Sequence, residues 1–262
     1  MKFLVKLGGT LLDAAESRDR LAREIHALAR LGHAVTVVHG GGKQMTRFLT
    51  ERNVESRFVN GLRVTTPEVV DAILKVFAGT VNHELVASFI RAGARAVWLS
   101  GIDACLVEAV QMDPALGAVG RPVRANTELL DLLTGGGYLP VVACVAGDAE
   151  GRVYNVNADQ MAVACASGWR ASTLLFLTDV DGVRGGVGTV LPSLTPGCAA
   201  ELIAAGIATG GMQAKLNAAS EALQSGVSQV LIVPGALPHM IERILSGERI
   251  GTRMTTSEAT GV

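Results

Sequence analysis

Aromatic side chains are scarce in this sequence: two Trp, two Tyr and six Phe among 262 residues. A stacking platform for nucleic-acid bases has little to be built from. The core must come from Val, Leu, Ile and Ala, which supply most of the 49% of hydrophobic residues, as in sheets covered by helices. Charge of one sign is lacking as well. The formal net charge is -1 and no Lys or Arg run concentrates it, so there is no general field for nucleic acid or an anionic membrane, and any anion site must be local. The four cysteines, Cys105, Cys144, Cys165 and Cys198, form no CxxC pair and have no histidine at zinc-site spacing; they are expected to be buried free thiols, with no metal site. No stretch approaches the roughly 18 apolar residues of a membrane span. Met1 to Leu7 is too short for a signal-peptide apolar region and is interrupted by Lys6, which leads to the expectation of a cytoplasmic protein without membrane contact.

Familiar catalytic motifs are missing too. Gly40-Gly41-Gly42-Lys43 continues into Gln44 and lacks the spacing and hydroxyl of a P-loop, and no G-x-G-x-x-G follows a strand. Asp179-Val180-Asp181-Gly182 has its glycine too early for a calcium loop and no closing glutamate. His83-Glu84 has no second histidine for a zinc-protease helix, and no G-x-S-x-G elbow marks a serine hydrolase.

What is present is a regular alternation. Short aliphatic runs at Phe3–Leu7, Val35–His39, Ala96–Ser100, Leu139–Ala143, Thr173–Leu177 and Gln229–Val233 are separated by helical patterns at Arg18–Leu31, Lys43–Arg52, Pro67–Ala92, Thr127–Leu133, Ala158–Ser167, Ala199–Ala205, Met212–Ser225 and Pro238–Leu245. This predicts an α/β fold, a three-layer αβα sandwich on a mainly parallel sheet. Pro67 and Pro238 suit first helical turns. Weaker alternation around Glu55–Val64, Cys105–Gln111 and Arg152–Asn155 predicts hairpins at strand ends, where α/β proteins place ligand loops. A division into lobes of residues 1–168 and 169–262 is expected near Gly168.

Several strands end in glycine turns: Lys6-Leu7-Gly8-Gly9, His39-Gly40-Gly41-Gly42 and Ser100-Gly101. Glycine lets backbone N–H groups meet a ligand closely, and a helix starting after the turn adds a partial positive charge. A single Gly-Gly pair is equally compatible with an ordinary tight turn; two near one sheet edge favour an anion site. Lys6 sits in an otherwise apolar strand, so its ammonium either snorkels to solvent or meets an anion or carboxylate. Lys215 lies one turn into a glycine-started helix, on a solvated face or within reach of a phosphate. Asn157 is a candidate N-cap with Asp159 in the first turn behind it, where the carboxylate could hold two lysines. Arg63 lies in a lid segment, either as a surface arginine or as a clamp for a carboxylate. His39 is assigned to strand-end structure.

Taken together, Val5-Lys6-Leu7-Gly8-Gly9, Val38-His39-Gly40-Gly41-Gly42, Asn60-Gly61-Leu62-Arg63-Val64-Thr65, Gly137-Tyr138-Leu139-Pro140-Val141-Val142, Asn155-Val156-Asn157-Ala158-Asp159-Gln160, Leu177-Thr178-Asp179-Val180-Asp181-Gly182-Val183 and Gly211-Met212-Gln213-Ala214-Lys215 resemble the amino-acid kinase family over nearly the whole chain. The resemblance implies ATP-dependent phosphorylation of the side-chain carboxylate of N-acetyl-L-glutamate, in arginine biosynthesis. Kinases of acetylaminoadipate or of carrier-bound aminoadipate are the nearest enzyme alternatives, and a silent nucleotide or metabolite sensor is the alternative outside catalysis. By the same resemblance Lys6 and Lys215 flank the phosphoryl group, Asp159 orients them, and the N–H groups of Gly8, Gly9, Gly41 and Gly42 meet phosphoryl and substrate oxygens. Arg63 and Asn155 would bind the acyl substrate. Asp179, Val180, Asp181, Gly182, Val183 and Arg184, with Ile207, Ala208 and Thr209, would line the ATP site. Magnesium (Mg2+) would be held mainly through phosphate oxygens and water. The first strand begins near residue 3, and the resemblance then implies a homodimer without arginine feedback.

Overall fold

The structure, a computed structural model, describes residues 1–257; residues 258–262 of the expected second lobe lie outside it. β1 (Lys2–Leu7) is buried from Phe3 onward: a strand lies on either side of it, and the helix Ala158–Gly168 packs across it. It is followed by α1 (Ala15–Arg30), β2 (Ala34–His39) and α2 (Gly42–Thr50). A small hairpin of β3 (Phe58–Val59) and β4 (Leu62–Arg63) leads into one long helical run: α3 (Pro67–Ile73), a π-helical segment (Leu74–Val81) and α4 (Asn82–Arg91). Then come β5 (Ala96–Ser100), β6 (Val107–Gln111), β7 (Val119–Ala125), α5 (Glu128–Gly135), β8 (Leu139–Ala143), β9 (Val145–Gly147), β10 (Val153–Val156) and α6 (Ala158–Gly168). The rest is β11 (Thr173–Thr178), β12 (Ser193–Leu194), α7 (Pro196–Ala204), α8 (Gly210–Gln224), β13 (Gln229–Pro234), α9 (Met240–Leu245) and β14 (Thr252–Met254).

The predicted strands all join one eight-stranded sheet in the order β12-β14-β13-β11-β1-β2-β8-β5, parallel except where β14 runs antiparallel to β13. The sheet is built outward from β1 in both directions, to β2 on one side and β11 on the other. Right-handed crossovers then place helices on opposite faces. Accordingly α1 packs with α4 and α9, while α6, α7 and α8 form a second group. β1 is therefore the topological switch point, and the crevice beyond its carboxyl end is where such sheets bind ligands.

Four strands expected only as loose hairpins, or not at all, close into a small barrel in the order β10-β7-β6-β9. The expected hairpins supply it: Cys105–Gln111 contributes β6, which pairs antiparallel with β7 across a turn containing Pro114, and Arg152–Asn155 contributes β10, which pairs antiparallel with β9. Pro67 opens α3 as expected, with Thr66 Oγ1 accepting from the N–H of Val69. Pro238 does not open α9: His239 has φ 56°, left-handed, and the helix begins at Met240. Cys144 and Cys165 are buried thiols, and burial pushes each pKa up to about 12, so neither ionises at neutral pH. Cys105 is exposed and Cys198 half-buried, contrary to expectation.

The helical run Pro67–Arg91 is long and apolar enough to cross a membrane by length and average composition, although Asp71, Lys75 and Glu84 interrupt its apolar residues. Half of its most apolar window is buried inside the fold, against α1, α2, β5 and β8. Its hydropathy is that of a core helix. The π-helical segment in its middle shifts the face it presents and puts Phe77 and Val81 against the Gly41 turn.

Candidate active site

Lys6 is the fifth residue of β1, flanked in register by Phe176 on β11 and Val38 on β2, and is 8% exposed. An ammonium there costs several kcal/mol unless compensated. Asp159 compensates it. Its Oδ1 lies 2.7 Å from Lys6 Nζ and its Oδ2 lies 3.1 Å from Lys215 Nζ, so one buried carboxylate holds two lysines. Asp159 is placed by the start of α6, where Asn157 Oδ1 accepts from the N–H groups of Asp159 and Gln160 as the expected N-cap. Lys215 comes from the second turn of α8 and lies over the Phe176 ring at 4.9 Å.

Two ammonium groups against one carboxylate leave an excess positive charge inside a poorly solvated pocket. Burial pushes the Asp159 carboxyl upward, but Lys6 and Lys215 outweigh it and hold it below the usual carboxylate range. Burial and the neighbouring charge of Lys6 together pull Lys215 below an ordinary lysine, against the opposing pull of Asp159 and Asp179. The site is electrostatically incomplete without an anion.

Above these charges lies a cavity of about 1000 Å³. Lys6, Gly8, Gly9, Gly41, Gly42, Arg63, Asp159, Asp179, Val180 and Lys215 all line it, as the sequence predicted in scattered places. The glycine turns differ in what they offer. Gly8 donates its N–H to Leu177 O at 3.0 Å and so continues the sheet instead of facing a ligand. Among the described residues no acceptor takes the N–H of Gly9, Gly41 or Gly42. Gly41 is the N-cap of α2, and a Cβ there would stand 2.8 Å from Phe77 Cδ1, whereas one on Gly42 would meet nothing within 4 Å. Glycine is required at the first position for packing; at the second it leaves the floor of the cavity open. Buried His39 stabilises the turn from below, with Nδ1 2.8 Å from Gly40 O, and burial lowers its pKa so that the ring is neutral.

Arg63, 8% exposed, donates to Ser56 Oγ, to Thr46 Oγ1 at 2.8 Å and to Gly42 O at 3.2 Å, with Phe58 under its guanidinium at 4.5 Å. Its position at the rim of the cavity is fixed before any ligand arrives. Asn155 does not line the cavity: its Nδ2 donates to Thr65 Oγ1, which itself donates to Arg63 O. It supports the strand carrying Arg63. Of the residues expected around ATP, only Asp179 and Val180 reach the cavity. Asp181 pairs with Arg184 on the surface, and Val183, next to Gly182, is buried with its N–H donating to Thr252 Oγ1. Ile207, Ala208 and Thr209 form the approach to α8, whose Gly211 and Met212 do line it. The Ser100-Gly101 turn is no ligand turn. Gly101 donates to Val145 O and Ser100 Oγ to Asp103, joining the sheet to the barrel.

The sequence reading missed Lys43, Thr46, Arg47 and Thr50, which line the cavity from α2. Their spacing places them on one helical face directly after a glycine turn, a periodic signal that was available. Thr10 was missed too; its hydroxyl donates to Asp179 Oδ2 across the cavity mouth. Among the described residues no group of three or more His, Cys, Asp or Glu is arranged to hold a metal ion.

Fixed cations and open N–H groups at the switch point of a parallel sheet define a phosphate-handling α/β enzyme. The sequence matches the amino acid kinase family over residues 1–234, and the chain belongs to that family. It is 66% identical over 257 residues to an acetylglutamate kinase of Solibacter usitatus, covering 98% of this chain and 100% of that one. It is 42% identical to an acetylglutamate kinase of Acidobacterium capsulatum, over 94% of this chain and 95% of that one. The structure of an N-acetylglutamate synthase from Neisseria gonorrhoeae, complexed with coenzyme A and N-acetyl-glutamate, superposes with a TM-score of 0.87 at 25% identity. That match covers 98% of this chain and 60% of the synthase chain.

Proposed function

We propose that this kinase transfers the γ-phosphoryl group of ATP to the side-chain carboxylate of N-acetyl-L-glutamate, giving N-acetyl-L-glutamyl 5-phosphate for arginine biosynthesis. The observation that carries the chemistry is the pair of lysines on one buried aspartate beneath two glycine turns. The acceptor carboxylate oxygen forms the new bond to phosphorus as the bond from phosphorus to the bridging oxygen of ADP breaks, and ADP leaves with those electrons. Charge spreads over the oxygens in flight, so fixed cations on either side lower the barrier without a covalent intermediate. Lys6 and Lys215 fill that role, with Asp159 holding both in place, and the N–H groups of Gly9, Gly41 and Gly42 supply uncharged donors. The full-length identity to acetylglutamate kinases supports the choice of acceptor.

Arg63 is the group for a substrate carboxylate, since its planar fork is held at the rim by Thr46, Ser56 and Phe58. Residues 1–168 would serve the acyl substrate and residues 169–262 the nucleotide. Mg2+ would ride on the phosphates. The carboxylates lining the cavity are Glu51, Asp159 and Asp179, of which Asp159 is occupied by lysines, a donor set that suits an ion held chiefly by phosphate oxygens and water. The enzyme would work in the cytoplasm as a homodimer.

The test is a hydroxylamine trap: purified protein with ATP and Mg2+ is offered N-acetyl-L-glutamate, N-acetylaminoadipate, glutamate or aspartate. Hydroxamate is expected from N-acetyl-L-glutamate above the others. No hydroxamate with any acid would overturn the kinase reading, and preference for N-acetylaminoadipate would move the substrate.

A further inference from the structure

A second hollow, of about 340 Å³, opens on the far side of α6 from the glycine turns, between β7, α6 and α8. Its walls include Arg121 and Arg124 from β7, Gln160 and Ser167 from α6, and Glu221 and Ser225 from α8. Two arginines are brought to the same face of the strand there through an irregularity in it. Residues three apart on a regular strand point to opposite faces. The β6–β7 register, however, pairs Glu108 with Arg124 and Ala109 with Pro122, leaving Val123 as a bulge. Glu108 and Val110 share a face, so their partners Arg124 and Arg121 do too. Bulges that re-aim a side chain recur beside functional sites.

Neither arginine closes an ion pair among the described residues, although Glu108 is the cross-strand neighbour of Arg124. On the opposite wall stands Glu221, which closes no ion pair among the described residues. A guanidinium pair calls for a carboxylate, and the Glu221 carboxylate calls for an N–H or O–H donor.

We propose that this hollow binds a small carboxylate that also carries a hydrogen-bond donor, the carboxylate on Arg121 and Arg124 and the donor toward Glu221. An occupant there would touch α6 and α8, the helices that carry Asp159 and Lys215. The inference does not depend on the identity of the phosphoryl acceptor.

Residue-resolved amide NMR of the full chain, titrated with L-glutamate and with succinate, separates this hollow from the catalytic cleft. Saturable shifts at Val123, Ser167 and Gly168 are expected, with a dissociation constant on the order of millimolar for L-glutamate and weaker binding of succinate. Arg124→Ala should weaken binding about tenfold or more, with Arg124→Lys in between. Arg124 is exposed, so the remaining spectrum should report an intact fold. Three results would each overturn the proposal: no saturable shift at these residues with either probe, undiminished binding by Arg124→Ala, or succinate binding as tightly as L-glutamate.

Discussion

β1 carries a lysine near each end, and each lysine meets an aspartate from a later helix at nearly the same distance: 2.7 Å for Lys6–Asp159 and 2.6 Å for Lys2–Asp131. The two pairs nonetheless do different things. The side chains of Lys6 and Asp159 are 11% and 12% exposed, those of Lys2 and Asp131 33% and 53%. At the exposed end water screens the pair, and Asp131 also accepts from the buried Trp169 indole while Lys2 donates to Trp169 O. That cluster fastens the start of the second half of the chain. At the buried end a third group, Lys215, tips the balance to net positive in a site with little water, which creates demand for an anion. Distance alone does not distinguish a fastening from a site that demands an anion; burial and the count of charges do.

The comparison is broken most severely at its hub. Asp159→Asn leaves two buried ammonium groups without a counter-charge and should cost about 3–5 kcal/mol of stability by urea unfolding near neutral pH. A loss below about 1 kcal/mol would mean that the pair is solvated like its counterpart at Lys2. Because the folded Asp159 titrates below the unfolded value of about 3.9, its contribution is present above that pH and drains away as pH falls through the folded pKa. The gap between wild type and Asp159→Asn should therefore narrow in acid.

Next in size, Lys6→Ala should lower kcat by at least about a hundredfold, on the order of 3 kcal/mol of transition-state stabilisation, with a smaller change in KM for the acceptor. Lys2→Ala should leave kcat within about twofold and cost no more than about 1 kcal/mol of stability. Equal effects of the two alanines on kcat would erase the distinction between the ends of β1.

The smallest effects sharpen the same contrast within one turn. Gly41→Ala forces a methyl against Phe77 and should cost about 1–3 kcal/mol in thermal or urea unfolding. Gly42→Ala has open space and should change stability by no more than about 0.5 kcal/mol while raising KM, since the methyl enters the cavity. A stability loss at Gly42 as large as at Gly41 would show that packing, and not ligand access, keeps both glycines.

Much of the fold was legible because buried parallel strands leave a simple signature. The aliphatic runs such as Val35–His39 and Thr173–Leu177 were found nearly to the residue. The barrel was not, since its strands are partly exposed, β9 and β10 are short, and closure depends on β10 pairing with β7 and β6 with β9 across distant segments. The site divided in the same way. Lys6, Gly41 and Asp159 stood out as a charge in an apolar strand, a glycine turn and a capped helix start. Lys43, Thr46 and Arg47 did not, because polar residues on a helix read as a solvated face until a cavity is seen beside them.

The sequence by itself determined that β1 carries a lysine just before a glycine turn and that a second glycine turn follows β2, because both statements concern neighbours in the chain. Only the tertiary structure decided that residues 6, 159 and 215 meet at one point, that the N–H of Gly8 belongs to the sheet, and that Asn155 stands behind Arg63 instead of facing the cavity. Those outcomes depend on which strands lie side by side and how deeply each group is buried, and strand order follows from packing the whole sheet rather than from any local run of residues.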